Sequence, residues 1–421
     1  MPQLRVLVVG AGIAGNSITF WLSKLGHAVT VVERFPAPRV TGLQLDVRGH
    51  GIDVMRRMGL ESAVRAVCVP ERGMQLVDTH GTRWGFLPAN TSGTGAQSMT
   101  SEFEIMRADL CRVLSEETNE NADYKYGKTV ASVEDDVDGA VKVKFDDGEE
   151  AEFDLVVGAD GLHSHMRKMV FGSEGLDALH LLDEYCAYCR VPSPLKPGEE
   201  YTATAYISPG GRFVLTRRHN AEQLQVYLTS SDISRRLRDV KRGDVVAEKQ
   251  AIAAEFRGIG WKVDELLDLV MASDDFYCAT DGFVALDSWS RGGVTLLGDA
   301  AYCSTVNGFG TSCAMIGAYV LAGELARHIK RGETQEAAVL RKNVTDALAE
   351  YERKLQPLIL DLQEGLGAKS WFDGLGRKAW HLRILYWVAW IVSTSRLYKL
   401  VNVVPERGPK WKLPVYEELK L

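Results

Sequence analysis

Arg5-Val-Leu-Val-Val-Gly-Ala-Gly-Ile-Ala-Gly15 opens the chain with an apolar run, a glycine turn and the start of a helical pattern. Read outward, residues 5–9 form a strand, 14–25 a helix closed by Gly26, and 28–33 a second strand, which together make a βαβ unit. An apolar strand with no alternation is one covered on both faces. Gly10, Gly12 and Gly15 supply the tight turn, the close backbone approach and the close helix–strand packing that a pyrophosphate site needs, with Ala14 beside them and the helix N-terminus facing the phosphates. Glu33, at the end of the second strand and followed by Arg34, is placed to accept hydrogen bonds from a ribose diol. The turn predicts a dinucleotide without saying which.

The choice comes from the far end of the chain. Leu296-Leu-Gly-Asp-Ala-Ala-Tyr302 puts a carboxylate just beyond another apolar strand, and Asn307-Gly-Phe-Gly-Thr-Ser312 leads into a helix over 311–328. Asp299, after Gly298, can bind the ribityl or ribose hydroxyls of an extended cofactor. Backbone N–H groups around Gly308, Gly310, Thr311 and Ser312 can stabilise negative charge on the N1–C2=O edge of a reduced flavin. NAD needs no second grip of this kind, so the cofactor expected is FAD.

Between these ends the pattern changes twice. Residues 129–133, 141–145 and 150–154 read as a β-meander turning at Asp146-Asp147-Gly148, and Leu155-Val-Val-Gly-Ala-Asp-Gly161 is a second buried strand running into a glycine turn. From about 179 to 231 alternating, aromatic-rich strands predict an antiparallel sheet inserted into the nucleotide-binding part. The fold class expected is therefore α/β with an α+β insertion: a Rossmann-type FAD-binding domain, an inserted antiparallel substrate domain and a C-terminal helical segment. The FAD-binding part is expected over 1–73, 101–175 and 286–355. The substrate part takes 74–100, as an excursion, and 176–285, while 356–421 form the helical segment, with a break at Pro357. Residues 90–101 read as a loop.

Bulk properties narrow the partners. At 421 residues the chain exceeds a single growing core. A net charge of -7 offers no electrostatic footprint for nucleic acid. Seven cysteines cannot all pair and fit a reducing, cytoplasmic setting. Cys186 and Cys189 form a CxxC within a predicted strand and without a second pair, which makes a redox or metal role the minor reading. His163 and His165 form no metal pattern, no other motif provides one, and no metal is expected. The uncharged, Trp-rich run 384–395 falls short of the roughly 20 residues a membrane-crossing helix needs. It reads as a core helix, a dimer contact or an interfacial helix making peripheral membrane contact.

Three separated segments match one family in order. The N-terminal GxGxxG with Val32-Glu33-Arg34, the middle Val157-Gly-Ala-Asp-Gly-Leu-His-Ser164 with Arg167, and Gly298-Asp299-Ala-Ala resemble the three fingerprints of the class A flavoprotein aromatic hydroxylases. That group includes para-hydroxybenzoate hydroxylase and, nearer in pattern, tetracycline-inactivating monooxygenases. The resemblance implies that Glu33 meets the adenosine ribose, Arg107 the pyrophosphate or ribityl chain, and Asp299 the ribityl side. It implies that Asp160 and Gly161 serve FAD and the nicotinamide cofactor together. Arg48, after Asp46 at the mouth of a helix, matches a basic position near the cofactor and reads equally as a surface salt-bridge residue.

The activity implied is hydroxylation of a hydrophobic, aromatic or polycyclic small molecule: NADPH or NADH reduces FAD, and O2 adds at C4a to give a hydroperoxide that transfers its distal oxygen. The cofactor then carries the chemistry, and no catalytic side chain is assigned. Tyr206, Phe213, Arg217 and Tyr227 are the candidate substrate-lining residues, drawn from strand periodicity, which puts half of them on the wrong face. One departure stands out, since family members carry His-Pro or a similar pair after Gly-Asp-Ala-Ala and this chain has Tyr302-Cys303-Ser304-Thr305-Val306-Asn307. It leaves open a second reading, a flavoprotein of the same fold that works as a cyclase or a non-catalytic scaffold. A flavin halogenase is a more distant third, because W-x-W-x-I-P is absent.

Overall fold

The computed structural model describes residues 4–40, 42–90, 100–118, 122–136, 139–230, 235–241, 243–303, 308–329, 336–364, 378–395, 397 and 411–420. Its organising layer is a six-stranded sheet in the order Ser290–Arg291, Val294–Leu296, Leu155–Gly158, Arg5–Val9, Ala28–Glu33, Ala122–Tyr126. All neighbours pair in parallel except the first two strands. Val6, Leu7 and Val8 are fully buried, as a central strand flanked on both sides must be. The helix Ile13–Lys24 packs against the helix Gly310–His328, so two segments distant in sequence meet over this sheet. Val130–Asp135, Val141–Phe145 and Glu150–Phe153 form the expected meander, turning at Gly148 with φ +87°.

A seven-stranded sheet forms the second layer, in the order Phe276–Val284, Leu179–Pro192, Gln223–Ser230, Arg212–Arg217, Ala203–Ser208, Gly73–Val77, Arg83–Pro88. Most of it lies in sequence between the parallel strands Leu155–Gly158 and Val294–Leu296, and its last two strands come from the earlier excursion. Leu215 stands opposite both Tyr227 and Ala205, so Ala203, Ala205, Leu215 and Tyr227 share one face. Tyr206, Val214, Val226 and Leu228 share the other, where Ile252, Phe256, Leu266 and Val270 of the helices Val245–Phe256 and Val263–Ala272 cover them. The period of two places Cys186 and Cys189 on opposite faces. Cys186 Sγ lies 3.0 Å from Thr229 Oγ1, and Cys189 faces the helix-covered side.

One feature of the C-terminal part differs from expectation. The helix Ala337–Gln363 runs through Pro357 without a break. The one hydrogen bond that proline removes is outweighed by burial of Leu355, Leu358 and Ile359 on the core side. The helix Ala379–Thr394 is neither core nor free; it lies along the edge strand Arg83–Pro88. Trp84 stacks on Tyr386 at 5.7 Å, the Phe86 N–H donates to Ser393 Oγ at 3.1 Å, and Gly85 lets the Ala389 backbone approach where a Cβ would sit 2.9 Å from its carbonyl oxygen. No helix among the described residues is long and apolar enough to cross a membrane.

Candidate functional site

The first glycine turn is built by contact, residue by residue. Gly10 has φ +107°, and a Cβ there would lie 2.6 Å from the Ala159 carbonyl oxygen; one on Gly15 would lie 1.8 Å from that of Gly10. Only glycine fits either place. A Cβ on Gly12 would instead meet nothing nearer than the Arg107 guanidinium at 3.5 Å, so this residue faces open space with a cation across it. The helix behind begins with no side-chain cap and no acidic residue in its first turn, which leaves its N–H groups and dipole to an external anion. Ala14 packs inward, where Gly298 with φ +65° comes so close that a Cβ would stand 2.8 Å from the Ala14 Cβ. Asn16, which sequence reading did not single out, holds the turn from behind: its side chain donates to the Ala11 carbonyl at 3.0 Å and accepts from the Tyr124 hydroxyl at 2.9 Å.

The turn opens into a cleft of about 550 Å³ whose walls include Glu33, Arg34, Arg39, Arg107, Asp160 and Gly161. Glu33 accepts the Ala11 N–H at 2.9 Å and the Phe35 N–H at 3.1 Å, so its carboxylate is oriented at the cleft edge. Arg34 and Arg39 both lie over the Phe35 ring, at 4.9 and 5.0 Å from its centroid. Asp160 caps the helix His165–Asp177: Ser164 Oγ donates to it at 2.5 Å, the His165 N–H at 2.7 Å and the Met166 N–H at 3.1 Å. Its carboxylate thereby holds Gly161, φ +83°, at the cleft floor. Arg167 is wholly buried and donates to the carbonyls of Gly175, Ala300 and Leu162, tying the middle motif to the third.

At the other end Asp299 begins the short helix Asp299–Tyr302. Burial raises its carboxyl above the ordinary value, against the pull of Arg107 and of a hydrogen bond with Cys303. Arg107, which faces the first turn, thus also contributes positive potential at Asp299. Burial also pushes the Cys303 thiol far up, which keeps it a packed, unreactive group. Asp299 and Gly310 line one small cavity, and Gly308, φ +72°, and Thr311 flank the start of the long helix. The Ser312 side chain has a task separate from its backbone N–H. It is buried, its Oγ accepts the Arg48 N–H at 2.8 Å, and only a glycine at position 51 admits it, since a Cβ there would lie 2.7 Å away. Arg48 itself is paired with Asp46. Residues 304–307, where the chain departs from the family pattern, lie outside the described residues, as do 91–99 of the expected loop. Among the described residues there is no cluster able to hold a metal.

The four candidate lining residues divide by face. Tyr206 is a correction: it points into the helix-covered core, donates to the Ile259 carbonyl and packs against Trp261, because it is one residue out of step with Ala205. Phe213, Arg217 and Tyr227 share the face turned away from those helices. Arg217, however, is closed into a buried cluster, with Glu71 at 2.6 and 2.8 Å and Glu104 at 3.0 Å, while Gln44 donates to both carboxylates. Burial pushes the Glu104 carboxyl up to about 7. Tyr227 is also buried, donating to Gln225 at 3.0 Å. The accessible end of this face carries Phe213, Thr229 and Asp281. Next to Tyr227, Tyr188 and Tyr277 stack at 5.0 Å; sequence reading missed both, although strict alternation from Tyr227 across paired strands locates them.

The cradle of glycines, the uncapped helix start and the cation across from Gly12 suit a dinucleotide pyrophosphate. Residues 3–341 match the protein family described as FAD binding domain. The chain is 46% identical over 428 residues to the FAD-dependent monooxygenase asL4 of Sarocladium schorii, a match that spans 100% of this chain and 99% of that protein. It is 38% identical over 378 residues to the flavin-dependent monooxygenase eupH of Phoma sp, across 85% of each. Among solved structures, tetracycline destructase Tet(51) superposes with a TM-score of 0.72 at 26% identity, covering 99% of this chain and 100% of that one.

Proposed function

Because this chain belongs to the FAD-binding family of class A flavin-dependent monooxygenases, we propose that it takes electrons from NADPH or NADH and places one oxygen atom from O2 on a hydrophobic, aromatic or polycyclic small molecule. FAD binding and monooxygenase activity follow from the family; the reductant and the substrate class are this proposal's own. Bound FAD supplies the redox and oxygen chemistry, so the protein's part is to hold, orient and shield.

In this reading Gly10, Gly12 and Gly15 with the Ile13–Lys24 helix seat the pyrophosphate, and Arg107 neutralises it. Glu33 receives the ribose hydroxyls, and Arg34 stands beside the adenosine. Asp299 takes the ribityl hydroxyls, and the positive end of the Gly310–His328 helix, with Gly308 and Thr311, stabilises negative charge at the reduced ring edge. Asp160 and Gly161 act by shaping the cleft through the cap described above, and Arg48 is a basic group near the cofactor.

The observation that carries the substrate assignment is the partly open face around Phe213, Thr229 and Asp281, walled at its far end by the Tyr188, Tyr227 and Tyr277 rings. Flat aromatic walls favour flat, unsaturated ligands. A structural neighbour named for tetracycline, a polycyclic molecule, supports the same class. The test is anaerobic mixing of the purified yellow protein with NADPH or NADH, with and without candidate phenolic and polycyclic compounds. Bleaching of the flavin, accelerated by some of them, is expected; flavin that stays oxidised with every compound and both nicotinamides defeats the reading.

A further inference from the structure

The helix Ala379–Thr394 has two unlike faces. Leu382, Tyr386, Ala389 and Ser393 turn toward the sheet edge, where Tyr386 also donates to the Ile207 carbonyl at 3.4 Å. On the outer side Trp380, Ile384, Trp387, Val388 and Ile391 follow one another at helical spacing and remain 57, 50, 56, 49 and 47% exposed, the Trp387 ring also meeting Trp84 edge-on at 5.7 Å. So many large apolar side chains, half in water on one stripe, are unusual on a soluble surface and mark a contact site.

Charge narrows the occupant. The chain as a whole carries -7, yet between 374 and 405 it has no Asp or Glu and does have Arg377, Lys378, Arg383, Arg396 and Lys399. Lys378 and Arg383 are exposed, one at the start of the helix and one within it. A second copy meeting this face about a two-fold axis would bring the same cations together. An anionic lipid surface would instead neutralise them while Trp380 and Trp387 settle at headgroup depth and the aliphatic side chains enter the acyl boundary.

We propose that this helix docks the enzyme on the surface of an anionic phospholipid bilayer, lying in the interface without crossing it. The docked helix rests on the edge of the substrate-side sheet, so the enzyme would sit where hydrophobic compounds dissolve. Docking of this kind does not depend on which substrate is oxidised.

The test is co-sedimentation of the FAD-loaded full chain with vesicles of mixed phosphatidylcholine and phosphatidylserine, and with vesicles of phosphatidylcholine alone. Binding to the mixed vesicles is expected to be the stronger and to weaken with salt. The double variant Ile384→Ser, Ile391→Ser should bind both kinds on the order of tenfold more weakly, with unchanged flavin content and circular dichroism. Lys378→Glu with Arg383→Glu should lose about tenfold on the mixed vesicles alone. No partition into either vesicle, or partition that both double variants leave intact, overturns the proposal. So does sedimentation velocity showing a dimer that Ile384→Ser, Ile391→Ser dissociates without vesicle binding, since the face would then join two copies.

Discussion

In the proposed assignment the second cofactor grip depends on Asp299 and Arg107. Asp299→Ala is expected to weaken FAD binding by at least about tenfold, the worth of a charged hydrogen bond, while thermal unfolding of the apoprotein barely moves. Titration of the apoprotein with FAD measures it, and unchanged affinity would remove Asp299 from its assigned place. Gly15→Ala tests the first turn, because a methyl 1.8 Å from the Gly10 oxygen cannot be accommodated without moving the turn; flavin content and urea stability should fall together. Glu104 gives a pH signature. Its carboxyl has an ordinary value of 4.5 and titrates at about 7 when folded, so between those limits the native state holds a proton that the unfolded chain has released. Stability from this group therefore falls as pH rises through that window. Urea unfolding across it should show a decline on the order of 1–3 kcal/mol that Glu104→Gln flattens. A slope unaltered by the variant would mean that Glu104 is ionised throughout.

Strand periodicity explains both the success and the failure at the next scale. Alternation identifies that two sets of side chains exist on each strand, but not which set meets the helices. Phe213 and Tyr206 sit on paired neighbouring strands, one on each face, and the difference is a single residue of register. Phe213→Ala should therefore raise KM for a turned-over substrate severalfold with little loss of stability. Tyr206→Ala should cost on the order of 3–5 kcal/mol, as loss of a large buried ring does, while Tyr206→Phe leaves KM unchanged. Steady-state kinetics and urea unfolding separate the two; the reverse pattern would mean that the faces are exchanged. Helix identity was less evenly legible: Val245–Phe256 and Val263–Ala272 fall in a stretch read only as antiparallel sheet, and at Pro357 local propensity predicts a break where tertiary burial keeps the helix whole.

At the scale of the whole molecule, distant parts of the chain are bound together by contacts no local pattern announces. Arg167 links the middle motif to Ala300 through buried carbonyls. Tyr416 lies under the Gly310–His328 helix, donating to Glu324 at 2.5 Å, where Lys354 also pairs with that carboxylate. Tyr416→Ala should cost about 3–5 kcal/mol and loosen FAD indirectly, because the helix it supports carries Gly310 at its start. Equal losses of stability and flavin retention across denaturant would confirm that coupling, and stability lost with FAD affinity intact would refute it.

The order of motifs, the βαβ start, the meander and the inserted antiparallel sheet were determined by the sequence alone, because turns, periodicity and glycine requirements are local properties of the chain. From the same source came the dinucleotide and the expectation that Gly298-Asp299 makes it FAD. Only the tertiary structure decided that the Arg107 guanidinium faces Gly12 across open space and that the Ser312 hydroxyl accepts the Arg48 N–H. It alone enclosed Arg217 between Glu71 and Glu104 and turned Tyr206 away. Those roles depend on which distant groups a side chain meets, and that is fixed by the packing of layers whose mutual register no short window of sequence records.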